Sequence, residues 1–109
     1  MAYKRIVATF VGDTEYKENK KDRIVFLIKR DENNKIVPKS DGFGYLRVDN
    51  DKYPFYLEFK KDKFIFNFGA TDGDIYTTNL SDKKIIVNEF FTYTTEKEKM
   101  FTYRIESII

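Results

Sequence analysis

The chain has 109 residues, 41% of them hydrophobic and 35% charged, with a formal net charge of +2. That length supports one domain, residues 1–109, and the charges interleave too evenly along the chain to mark a dedicated duplex-binding protein. The absence of Cys and His excludes disulfides, ordinary zinc sites and Ser-His or Cys-His catalysis, so neither an enzyme nor a bound cofactor is expected.

The start MAYKRIVATF has no long apolar run after its charges, and nowhere do apolar residues approach the length of a membrane span. No membrane segment or secretory leader is therefore expected, and a cytoplasmic location is the default. Residues 3–11, YKRIVATFV, are β-branched and alternate, and they predict a strand. GDTEYKENKKD, residues 12–22, has no apolar periodicity and reads as a charged loop. RIVFLIKR, residues 23–30, places Ile24 to Ile28 in one apolar run, which predicts a strand covered on both faces. DENNK is a turn by composition, and Ile36-Val37 extends a short strand until Pro38 ends it. Asp41-Gly42 signals another turn, with a strand from Tyr45 to Asp49.

The strongest local pattern lies in YPFYLEFKKDKFIFNFG. Tyr53, Phe55, Leu57 and Phe59 share one face at period two, as do Phe64, Phe66 and Phe68 on the next strand. An even loop at Lys61-Asp62 sets Phe59 against Phe64 and Leu57 against Phe66, where an odd loop would set aromatics against charges. IYTTNL, residues 75–80, predicts a short strand. IIVNEFFTYTT and KMFTYRIESII form a final pair around EKE, with Tyr93 against Phe101 and Phe91 against Tyr103. No helical stripe of adequate length occurs. The fold expected is all-β, a single small antiparallel barrel or sandwich of about seven or eight short strands without a substantial helix.

Gly42-Phe43-Gly44-Tyr45-Leu46-Arg47-Val48 resembles the first RNA-binding motif of cold-shock and RRM domains. The resemblance covers about twenty residues if YPFYLEF is set beside the second motif of cold-shock domains. It implies that Phe43, Tyr45 and Phe55 stack bases while Arg47 and nearby Lys residues meet the backbone. Asp41 stands where that family has a basic residue, and its His is absent. The competing reading is a glycine-permitted turn at 42–44, with Leu46 and Val48 packed inward and Tyr45 outward.

Other constellations read as ordinary surface chemistry. Lys17, Lys20, Lys21, Arg23, Lys29, Arg30, Lys35 and Lys39 would form a basic patch if the 12–22 loop folded back, but acids in the same stretches offset it. Asp49/Asp51 and Asp72/Asp74 fit turn preferences and lack the ligand spacing of an EF-hand. The excess of aromatics remains. Tyr56 and Phe90 fall opposite the main aromatic row, and exposed aromatics commonly mark a protein-binding surface. The functional expectation is a small non-catalytic protein of inhibitor, immunity or phage anti-defence type, acting by contact with another protein. The alternative is a single-stranded nucleic-acid binder of cold-shock or OB-like type. Candidate contact residues are Phe43, Tyr45, Arg47, Phe55, Tyr56 and Phe90.

Overall fold

Alternating apolar residues bury one side of each strand, and closing the sheet on itself leaves no edge exposed. The computed structural model, which describes residues 2–12, 19–69 and 73–109, shows this solution. Eight antiparallel strands form a closed barrel in chain order, with β8 returning to β1. They are β1 (Tyr3–Phe10), β2 (Asn19–Lys29), β3 (Gly42–Val48), β4 (Asp51–Lys60), β5 (Lys63–Asn67), β6 (Ile75–Thr78), β7 (Phe90–Thr94) and β8 (Met100–Ile108). The only helical element among the described residues is a 3-10 turn, Leu80–Asp82. Apart from the β8–β1 closure, every neighbour in the sheet is a neighbour in the chain, a meander rather than the Greek-key order of an OB barrel.

Both aromatic hairpins take the expected register. Phe59 pairs with Phe64 and Leu57 with Phe66, while Tyr93 pairs with Phe101 and Phe91 with Tyr103. Lys61 and Asp62 both take positive φ, 51° and 64°, as a two-residue turn of type I′ requires to match the twist of its strands. The inward residues then stack in layers. Phe55 and Phe66 stack with centroids 4.3 Å apart, and Phe26 meets Phe91 edge-on at 6.0 Å, geometries that suit the charge distribution of the rings.

Several boundaries differ from the sequence expectation, among them β6, which ends at Thr78 rather than at residue 80. β2 begins at Asn19 rather than Arg23, so the charged stretch reaches into the sheet, where a bulge at Thr9/Phe10 absorbs the change of register. Residues 42–44 belong to β3 and are not a turn. The apolar run from Ile85 does not extend the following strand, because β7 begins only at Phe90. Ile85 instead joins Leu80 and Ile36 in closing one end of the barrel, and all three are buried. Two hydrogen bonds to the Ile85 backbone fasten that end: the Ile85 N–H donates to the Asn34 carbonyl (2.7 Å) and the side-chain Nη1 of Arg30 donates to the Ile85 carbonyl (2.7 Å). Ile36 makes only an isolated bridge to Arg30 rather than a strand.

Candidate binding surfaces

The two glycines of the GFGYL stretch explain where its aromatics go. In β3 the residues alternate, and Gly42, Gly44 and Leu46 face the interior while Phe43, Tyr45 and Arg47 face outward. Gly44 sits between Phe26 on β2 and Phe55 on β4. A Cβ there would overlap the Val25 carbonyl oxygen and stand 2.6 Å from Phe26 Cα. At Gly42 a Cβ would come within 3.0 Å of Leu57 Cβ. Large neighbours therefore fill space that a side chain on β3 would occupy.

Register builds the outer face row by row. Arg5, Leu27, Phe43 and Tyr56 lie across four strands, followed by Val7, Val25, Tyr45 and Pro54, and then by Thr9, Arg23, Arg47 and Lys52. Tyr56 is 64% and Phe43 48% exposed. Val25 points outward yet is buried, so these rings cover part of the sheet beneath them. Lys52 Nζ lies 5.1 Å from the Tyr45 ring centroid and Lys29 Nζ 4.9 Å from that of Tyr3, both within cation–π range. A groove of about 340 Å³ follows Phe43, Pro54, Tyr56 and Asn67.

The same face collects positive charge. Among the described side chains its outward strand positions include Arg5, Arg23, Lys29, Arg47, Lys52 and Lys60 beside the carboxylate of Glu58, and Glu106 of β8 reaches the same face, where it accepts the Thr9 hydroxyl at 2.8 Å. Glu58 is itself engaged, by Lys60 (3.1 Å) and by the Asn67 amide (2.7 Å), and these two hydrogen bonds hold its carboxyl below the usual range. The outer face of β5–β8 is different, with Ile65, Thr77, Thr92, Thr94 and Thr102 at outward positions and Arg104 paired with Glu106 at 2.9 Å. The sequence count of interleaved signs therefore concealed a segregation by face. Alternation places half the charges of β1–β4 together, and closure of the barrel turns them all one way.

Of the residues singled out in the sequence, Phe43, Tyr45, Arg47 and Tyr56 share this surface. Phe55 does not: it is 4% exposed and stacks on Phe66 inside the barrel, so the three-ring platform implied by the resemblance is not assembled. Phe90 is exposed but belongs to β7, opposite Arg104 on β8. Arg5, Lys52 and Pro54 were missed, because only the cross-strand register places them beside the aromatics. Lys17 and Asp72, with the side chains of Lys20 and Lys21, lie outside the described residues. Among the described residues no group of three or more His, Cys, Asp or Glu side chains could hold a metal ion, and no helix is long and apolar enough to cross a membrane.

A second concavity opens at the end of the barrel away from Ile36, Leu80 and Ile85. It has a volume of about 530 Å³ and is walled chiefly by Tyr53, Phe68, Tyr76, Tyr93 and Phe101. Beneath it the Tyr93 and Tyr103 hydroxyls hydrogen-bond to one another. Burial pushes Tyr93 up to about 12 and drives Tyr103 higher still, with the neighbouring tyrosine adding to the effect at Tyr103.

Fold and surfaces together define a closed eight-stranded meander barrel with a cationic, aromatic outer face and an aromatic mouth. Comparison with known proteins finds no matching family model, no matching curated protein and no matching solved structure.

Proposed function

We propose that this chain is a non-catalytic binding protein that docks an acidic protein surface on the outer face of β1–β4 and acts by covering it, in the manner of an inhibitor or immunity protein. The observation that supports this reading is the meeting of exposed Phe43 and Tyr56 and half-buried Tyr45 with six cations, where the carboxylates are Glu58, already paired with Lys60, and Glu106, already bonded to Thr9. Aromatic anchors in the centre supply desolvated contact area, and flanking charge steers and orients an oppositely charged partner. Arg47 adds a planar donor that suits carboxylates.

The reading is tested by affinity capture from cells of the source and of its natural competitors, using wild type, Phe43→Ala/Tyr56→Ala and Arg47→Glu. The expected result is an acidic protein retained by wild type, lost with both variants and released by salt; retention by all three sinks the assignment of this face. The second reading, single-strand nucleic-acid binding, is favoured by one observation: Phe43 and Tyr45 point outward together beside Arg47. Fluorescence anisotropy with labelled poly-dT and poly-U at low salt separates the two. Binding that weakens steeply with added salt and disappears in Phe43→Ala would replace the protein partner with a nucleic acid.

A further inference from the structure

Eight strands enclose a space that side chains can fill or that can hold one small ligand. Here the space divides. From the plugged end upward, Ile6, Ile28, Phe26, Phe66 and Phe91 fill it completely, and each is fully buried. Towards the other end the filling stops short and leaves the mouth cavity, within the size range of small-molecule sites. Its wall is a set of ring faces held in contact. Tyr76 lies parallel to Tyr93, 6° between planes and 5.1 Å between centroids. Phe68 packs on Tyr76 at 4.8 Å and Phe101 on Tyr93 at 5.3 Å. Tyr53, 42% exposed, stands at the entrance.

Two carboxylates lie beside these rings. Asp74 is half-buried on the cavity wall. Glu96 also lines it and is held in place by accepting the Ile75 N–H at 3.1 Å. Lys97 and Lys99 border the cavity too, and like Glu96 they are exposed on the hairpin that joins β7 to β8. After burial, the charges of Asp74 and Glu96 raise the Tyr76 hydroxyl, with Tyr53 adding to them, so both carboxylates are felt at this ring. Ring faces present negative charge of their own, and aromatic walls beside carboxylates are how proteins hold alkylammonium and protonated amine groups.

We infer that the mouth of the barrel is a second binding site, independent of the outer face, and that it takes a small organic cation with an apolar body. Tyr53 and Tyr76 supply ring faces for the cationic group, Asp74 and Glu96 supply the counter-charge, and Phe68 and Phe101 receive the apolar part.

The test titrates two flat dyes of opposite charge into the full chain at low salt: cationic thioflavin T and anionic anilinonaphthalene sulfonate. Dye fluorescence and quenching of tyrosine emission serve as readouts, since the chain has no Trp. Thioflavin T is expected to bind at least about tenfold more tightly than the sulfonate, and Asp74→Asn with Glu96→Gln to weaken it about fivefold or more. Tyr53→Ala, which removes a ring outside the core, should weaken thioflavin T similarly while leaving the denaturation midpoint in place. Val87→Ala, an exposed change next to the plugged end, should leave dye binding unaltered. No binding of thioflavin T, equal binding of both dyes, or indifference to the Asp74/Glu96 pair overturns the inference.

Discussion

Gly44 faces the barrel interior where the backbone of β2 passes so close that no Cβ fits, and Phe26 and Phe55 fill the gap from either side. Gly44→Ala must push rigid backbone rather than the end of a flexible side chain. It is expected to destabilise the fold by about 3 kcal/mol or more, read by urea denaturation; a loss under about 1 kcal/mol would mean that β3 shifts freely. The buried tyrosines make a different residue-scale prediction. Tyr93 is held at about 12 and Tyr103 above it, against an ordinary value of 10.0. A folded-state pKa above the unfolded value means that the unfolded chain loses its protons first. Stability from these groups is thus fully present below pH ~10 and is lost as pH rises through Tyr93's value of about 12. The slope should approach roughly 1.4 kcal/mol per pH unit for each tyrosine. Denaturation midpoints measured across that interval, with tyrosinate absorbance followed in parallel, should show Tyr93 and Tyr103 ionising only with unfolding.

The hairpins show which elements could be read in advance and why. In β4–β5, the aromatic pairs and the two-residue loop agree on one register, so local pattern and global closure give the same answer. Lys61 nevertheless holds positive φ without being a residue that favours it, and Asp62 tolerates it less readily than glycine would. Replacing them by Lys61→Asn with Asp62→Gly should stabilise the barrel by about 1 kcal/mol in chemical denaturation, with no change in register. The run IIVNEFFTYTT misled because its apolar residues satisfy two different neighbours. Phe91 and Tyr93 pair with β8, whereas Ile85 turns inward to close the barrel end against Leu80 and Ile36. A strand and a plug look alike in a short apolar run, since both only require burial.

At the scale of the whole molecule, closure sorts the surface. Six cations and the rings of Phe43, Tyr45 and Tyr56 lie on the outer face of β1–β4, and the threonine-rich face of β5–β8 carries little net charge. If that face is a working surface rather than a structural one, Phe43→Ala/Tyr56→Ala should change the unfolding free energy by less than about 1 kcal/mol while removing partner capture. A larger loss of stability would mean that these rings are needed to cover Val25 and the sheet below. The plugged and open ends of the barrel differ in the same global way, since no stretch of chain contains the wall formed by Tyr53, Phe68, Tyr76, Tyr93 and Phe101.

Period-two alternation and aromatic pairing were enough, by themselves, to determine an all-β domain, both aromatic hairpins and the inward rows from Tyr53 to Phe68, because those features depend on neighbours within one hairpin. The absence of Cys and His likewise narrowed the available chemistry without any structure. Only the tertiary structure decided that the sheet closes as a meander, that the glycines of GFGYL face inward, that Phe55 parts company with Phe43 and Tyr45, and that scattered charges become a cationic face. Each of these depends on register between strands and on which strand closes against β1, and those long-range pairings leave no mark within a short window of sequence.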